Sequence, residues 1–148
     1  MRLIVDTDVL IAGIRSRTGA AAALLQMVLR RRARILITAA LALEYESVAC
    51  RAEHLRASGL SDVTVRRLLE ALIAAADPVE IYFRYRPQLK DPGDEMVLEA
   101  AINGRADAIV TFNARDYRRN QHQIPAQFGI EVIDPKTAVA RLRATTRP

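Results

Sequence analysis

Short apolar runs alternate along this chain with longer stretches in which apolar residues recur every three or four positions. The first pattern predicts buried strands and the second amphipathic helices. Leu3-Ile4-Val5 reads as the first strand, 20–29 as a helix, and Ile35-Leu36-Ile37 as the second strand. Thr38 stands where an N-cap would open another helix, because its hydroxyl can accept from an amide that the first turn leaves free. A helical hairpin follows, turning at Gly59-Leu60-Ser61-Asp62, and Val63, Leu68, Leu69 and Leu72 give its second arm an apolar face. A short strand is expected at 79–82, and the breaker-rich loop 86–93 runs into a helix starting around Asp94. Strands at 108–111 and 130–133 come next, then a terminal helix after Pro135, a normal first helical residue.

Strands that alternate with helices and carry few polar residues imply a mainly parallel sheet covered on both faces. The expected class is α/β, with three layers, α/β/α. A length of 148 residues, 51% of them hydrophobic, is enough for one buried core. A single domain over 1–148 is expected, with 144–148 frayed. No apolar stretch long enough to span a bilayer escapes charged residues, and MRLIVDTDVLI lacks the features of a secretory signal. No membrane association is expected, and the chain reads as cytosolic. The lone Cys50 cannot form an internal disulfide and is expected as a buried structural thiol.

A net charge of +5 and a pI near 10.0 suit a polyanionic partner, since the Arg fork matches phosphate oxygens. The signal is weakened by its composition: Lys occurs only at positions 90 and 136 amid many Arg and Ala, a skew that genome base composition can produce. Arg30-Arg31-Arg32 with Arg34 reads as a solvated helix end, where cations meet the negative end of the helix dipole. His54 and His122 read as surface residues. Tyr82, Phe83 and Tyr85 form an aromatic group able to stack on bases, but packing in the core or a dimer is the expectation.

In an open parallel sheet, ligands bind beyond the carboxyl ends of the strands. Asp6 and Asp8 follow the first strand, Asn113 and Asp116 follow the strand ending at Thr111, Asp94 opens a helix, and Asp91 lies just before it. Should these acids converge, two carboxylates about 4 Å apart would repel by roughly 4 kcal/mol at a surface-like dielectric. Protons or a cation must relieve that repulsion. Oxygen-only donors favour Mg²⁺ or Mn²⁺ over Zn²⁺, and such ions serve phosphoryl chemistry. Each acid also has a structural role open to it. Asp6 and Asp8 can cap the turn after a strand, Asp94 can N-cap its helix, and Asp91 before Pro92-Gly93 suits a turn. Glu44 has Leu41 and Val48 at helical spacing, unusual for a solvated Glu, and Glu46 has comparable apolar neighbours, so periodicity does not choose between them.

Four blocks taken together, Val5-Asp6-Thr7-Asp8-Val9-Leu10-Ile11, Thr38 with Glu44, Asp91-Pro92-Gly93-Asp94-Glu95, and Ile109-Val110-Thr111-Phe112-Asn113-Ala114-Arg115-Asp116-Tyr117, resemble the PIN-domain nucleases. The branch most resembled is the toxin component of toxin-antitoxin systems, the VapC-type ribonucleases. The resemblance implies that Asp6, Glu44, Asp94 and Asp116 are catalytic metal ligands for Mg²⁺ or Mn²⁺. Asp8, Asp91, Thr111 and Asn113 would support them. Asn113 stands where many relatives have an acid, which makes the fourth ligand position the least defined, and Asp8 stands where the family often has Asn. The resemblance further implies a metal-bound water attacking an RNA phosphodiester, a homodimer, and a cognate antitoxin protein. Arg15, Arg17, Arg115, Arg118 and Arg119 lie in segments close to these blocks and are candidates for holding the RNA backbone.

Two other readings compete. Asp6-Thr7-Asp8-Val9-Leu10 also fits a haloacid-dehalogenase-like phosphatase with Asp6 as nucleophile and Asp8 as general acid, although Glu44 and the Thr111 block have no role in that chemistry. The other is a non-catalytic domain binding RNA or protein.

Overall fold

The structure, a computed structural model, describes residues 1–145. Five parallel strands make one sheet in the order β3-β2-β1-β4-β7: β1 (Arg2–Val5), β2 (Arg34–Ile37), β3 (Asp77–Pro78), β4 (Ala108–Val110) and β7 (Glu131–Ile133). Leu3, Ile4, Val5, Leu36 and Ile109 are almost wholly enclosed, as expected of strands covered on both faces. Burial of each such side chain contributes about 1.5–3 kcal/mol. The helices lie on both sides, giving the expected three layers.

Helix α1 (Thr7–Arg15) starts directly after β1, and α2 (Ala20–Leu29) crosses it closely. Gly13 permits that crossing: a Cβ there would sit 2.5 Å from Leu25 Cδ1. Thr38 caps α3 (Ala39–Ala49) as expected, its hydroxyl accepting from Leu41 N at 3.1 Å. The chain then breaks at Cys50 and Arg51, so α4 (Ala52–Ser58) is separate from α3, and α5 (Asp62–Ala75) is the second arm of the hairpin. Cys50 is partly exposed rather than buried, because it closes α3 at that break.

The strand expected at 79–82 lies two residues earlier. Only Asp77 and Pro78 pair with β2, and one further bond runs from Val79 N to Ile37 O. Beyond it the chain is irregular to Asp91. Helix α6 (Pro92–Asn103) likewise begins earlier than expected. Asp91, not Asp94, is its N-cap, accepting from Gly93 N at 2.7 Å, with Pro92 in the first turn. A short 3-10 turn (Ala114–Tyr117), an antiparallel pair of two-residue strands, β5 (Arg118–Arg119) and β6 (His122–Gln123), and a second 3-10 turn (Pro125–Phe128) link β4 to β7. Helix α7 (Pro135–Thr145) ends the described chain, so Ala144 and Thr145 are helical where fraying was expected. Residues 146–148 lie outside the described residues. Among the described residues no helix is long and apolar enough to cross a membrane.

Candidate functional site

The strand order reverses direction at β1. The chain winds outward from β1 through β2 to β3, then returns to the opposite side of β1 for β4 and β7. Such a switch point leaves a crevice at the carboxyl ends of the two strands that flank it, here β1 and β4. Val5 is in register with Val110, so Asp6 and Thr111, the next residues on each strand, emerge side by side. Asp6 N donates to Val110 O at 2.9 Å, which locks that adjacency.

Asp6 is buried, and both of its oxygens accept hydrogen bonds, Oδ2 two and Oδ1 one. Oδ1 accepts from Thr7 N at 2.7 Å, while Oδ2 accepts from Thr111 Oγ1 at 2.9 Å and from Tyr117 Oη at 2.8 Å. Burial pushes this carboxyl above the ordinary range; the Tyr117, Thr111 and Thr7 donors oppose that, and the charge of Asp116 adds to it.

Asp8 sits in the first turn of α1. Its Oδ2 accepts from Phe112 N at 3.0 Å, Asn113 Nδ2 at 3.1 Å and Thr111 Oγ1 at 3.2 Å. Its Oδ1 is enclosed and has no hydrogen-bond partner. Burial and then the charge of Asp6 raise its pKa. Thr111 Oγ1 also accepts from Asn113 N at 3.0 Å. A hydroxyl has one proton, so Thr111 can donate fully to only one of the two carboxylates at a time.

Asp94, half-buried in the first turn of α6, completes the group. Its carboxyl is pushed up to about 7, first by burial and then by the charges of Asp6, Asp116, Asp91 and Asp8. Five acids from three segments, the starts of α1 and α6 and the turn after β4, therefore meet electrostatically at this edge of the sheet. Asp116 and Asp91 are the exposed members, and Asp91 already spends one oxygen on its cap.

The two glutamates of α3 separate clearly. Glu46 is exposed and forms an ion pair with Arg66, which also holds Asp62 at 2.7 Å, so it belongs to the contact between α3 and α5. Glu44 is half-buried, and no ion pair or hydrogen bond engages its side chain among the described residues. It is not among the main charges acting on Asp6, Asp8 or Asp94. Its neighbour Tyr45 is buried and donates to Val5 O, which ties α3 to the end of β1 just before Asp6. Among the described residues no three His, Cys, Asp or Glu side chains stand together as a ready-made metal site.

Tyr117 received no role from the sequence. It is wholly buried, and burial together with Asp6 holds its hydroxyl in the protonated, donating form. The available signal was a large aromatic with a polar tip directly after Asp116, since a buried Tyr needs a partner for its hydroxyl. Also unforeseen was a polar ladder on α6. Glu95 Oε1 accepts from Leu89 N at 2.8 Å and from Gln88 N, Glu99 accepts from Arg86 at 3.0 Å, and Asn103 Oδ1 accepts from Tyr82 N and Phe83 N at 2.9 Å.

The cations divide between two regions. Arg115, Arg118 and Arg119, joined by Lys90, line a cavity of about 670 Å³. Arg17 lines a different cavity with Lys136 and Arg143, which none of the acids line, and Arg15 is exposed in the last turn of α1. Tyr82, Phe83 and Tyr85 are exposed, which rules out the core packing expected of them. They lie in the irregular stretch after β3, where no layer covers them. His122 is exposed, whereas His54 is half-buried with its Nε2 3.7 Å from Glu53.

Comparison with known proteins places this arrangement. No curated protein matches the chain in sequence. A chain in the crystal structure of VapBC2 from Rickettsia felis, bound to a DNA fragment from its promoter, is similar in fold, with a TM-score of 0.59. The match covers 90% of this chain and 98% of that one at 11% identity, a likeness of fold. The family model for the PIN domain matches residues 2–115, which include Asp6, Asp8, Glu44, Asp91, Asp94, Thr111 and Asn113 and stop one residue short of Asp116. The chain belongs to the PIN-domain family.

Proposed function

We propose that this protein is a divalent-metal-dependent endoribonuclease and the toxin component of a toxin-antitoxin pair. PIN domains are generally nucleases, which supports a hydrolase acting on nucleic acid. The observation that carries the reading further is the charge-coupled group of Asp6, Asp8, Asp94 and Asp116 at the switch point of the sheet.

The donor set fits a hard cation in two respects. It offers only oxygen close to the acids, and Asp8 Oδ1 is an enclosed carboxylate oxygen without a partner. Asp6, Glu44, Asp94 and Asp116 are the proposed ligands of Mg²⁺ or Mn²⁺, with Asp8, Asp91, Thr111 and Asn113 in support. A bound divalent ion would supply neutralisation of the clustered charge and activation of water for attack at phosphorus. The rest falls to the protein. Tyr117, Thr111 and the Thr7 amide fix the direction of the Asp6 carboxylate. Phe112 N and Asn113 do the same for Asp8. Arg115, Arg118, Arg119 and Lys90 offer the phosphate backbone a cationic wall, in which Lys90 directly precedes Asp91 and Arg115 directly precedes Asp116, and Arg15 and Arg17 offer more remote contacts.

Purified full-length protein, free of any partner, incubated with labelled RNA is expected to cleave in Mg²⁺ or Mn²⁺ and to stop in chelator. Cleavage that survives Asp6→Asn, or no cleavage of any RNA in either metal, overturns the reading. The antitoxin and homodimer proposals are tested by co-purification with the product of the adjacent reading frame and by sedimentation of the isolated chain. The fold shared with a chain of the VapBC2 complex motivates the first of these.

A further inference from the structure

Between β3 and α6 the chain runs back along α6, from Asn103 near that helix's C-terminus to Glu95 near its N-terminus. It forms no strand there, yet Asn103, Glu99 and Glu95 hold it at successive turns. Glu95 and Glu99 are buried and committed to this task. The stretch they hold exposes large aromatic surface. Phe83 is 62%, Tyr85 42% and Phe128 37% exposed. Their rings touch in series, with centroids 6.3 Å apart for Phe83 and Tyr85 and 5.4 Å for Tyr85 and Phe128. Aromatic faces left in solvent on a stretch held by half-buried Asn103 and, through Arg86, by buried Glu99 do not serve the core.

Two residues past Tyr85 the same stretch enters the wall of the cationic cavity, where Lys90 faces Arg115, Arg118 and Arg119. Among the described residues none of these four cations forms an ion pair, whereas Arg34, Arg66, Arg86 and Arg141 all do. One residue beyond Lys90 comes Asp91, and then the acids of α6. Exposed rings, unpaired cations and the acid group thus follow one another along a single course. Rings stack on unpaired bases, and cations track the phosphates between them. That charge complement favours a nucleic acid over a second copy of this chain, which would bring the same cations.

We infer that Phe83, Tyr85 and Phe128, with Lys90, Arg115, Arg118 and Arg119, form a track for single-stranded RNA that leads into the acid cluster. The choice of RNA rests on the ribonuclease reading. The test is fluorescence anisotropy of the protein with a single-stranded RNA oligonucleotide in chelator, which stops metal-dependent cleavage, across a salt series. Phe83→Ala and Tyr85→Ala are expected to weaken binding about fivefold or more without changing the salt slope, and Tyr85→Phe to restore it. Arg118→Ala and Arg119→Ala are expected to lower the slope by about 0.7 each. A duplex of the same sequence is expected to ignore the ring variants. Wild-type affinity in both ring variants, with folding checked by circular dichroism, overturns the track. So does a dimer that dissociates in those variants while single-strand affinity per chain stays unchanged, which would make the surface a dimer contact. Tight single-strand binding that responds to these residues without any cleavage keeps the track and removes the nuclease. Cleavage with normal binding in every variant does the reverse.

Discussion

Tyr117 donates its hydroxyl to Asp6 across a separation of 111 residues in sequence, at 2.8 Å, inside a fully buried contact. The turn after β4 thereby sets the orientation of the carboxylate after β1. Tyr117→Phe removes a donor to a charged acceptor and is expected to lower stability by about 1–3 kcal/mol, read from urea unfolding. Because the hydroxyl holds the Asp6 pKa down, its loss should move the acid limb of the cleavage profile to higher pH. A rise in KM with kcat and pH profile unchanged would argue against a positioning role.

The acid cluster makes a prediction for the chelated protein. Asp6, Asp8 and Asp94 have pKa values raised above their ordinary value of 3.8, with Asp94 at about 7. Between those limits the folded state binds more protons than the unfolded state. Their favourable contribution is therefore complete at low pH and lost as pH rises through about 7. In chelator the melting temperature should fall between pH 5 and pH 8, and Asp94→Asn should flatten that fall. Added Mg²⁺ should raise it more at pH 8 than at pH 5. Scanning fluorimetry across pH checks this, and a flat wild-type profile would sink it.

Asp6 and Asp8 are expected to respond unequally to neutral substitution. Asp6→Asn and Asp94→Asn should abolish cleavage. Asp8→Asn, whose Oδ2 is occupied by three protein donors, should cost about 10–100-fold, the range for groups that support metal ligands. A trapped phosphoryl-aspartate at Asp6 would instead restore the phosphatase alternative.

The glutamates of α3 offer a paired control. Glu46→Gln loses an exposed ion pair to Arg66, which solvent screens, and should leave cleavage intact. Glu44→Gln should reduce cleavage strongly in Mg²⁺ while barely changing the melting temperature. Equal activity in both variants would remove Glu44 from the proposed ligands.

Glu95→Ala leaves the amides of Gln88 and Leu89 without their acceptor. An unsatisfied buried amide costs about 1–3 kcal/mol. Hydrogen exchange should quicken over 82–91 before it quickens in the strands. Uniform acceleration throughout the chain would show that Glu95 supports the whole core instead.

The parts legible in the sequence share one cause. β1, β2 and β4 are continuous apolar runs because both faces of a parallel sheet are covered. The acids were legible because each follows a strand or opens a helix. Pairs made by polar residues left no such trace. β3 is Asp77 and Pro78, and β5 with β6 pairs Arg118 and Arg119 with Gln123 and His122. Hydrophobic patterning is blind to strands whose side chains face solvent. For Tyr82, Phe83 and Tyr85 core packing, one of the two expectations, failed for the converse reason: hydrophobicity reports a wish to be covered, not whether this chain does the covering. Asp94 was misplaced as a cap since Asp91 and Pro92 offer the stronger start signal three residues earlier.

Helix α6 carries Asp94 in its first turn and grips the neighbouring stretch through Glu95, Glu99 and Asn103. It therefore acts as a ruler fixed at both ends. Sliding it by one residue would carry the acid about 1.5 Å along its axis and drag the aromatic shelf the same distance. Whatever spacing the two need from each other is thus inherited from a single rigid rod, not negotiated between loops.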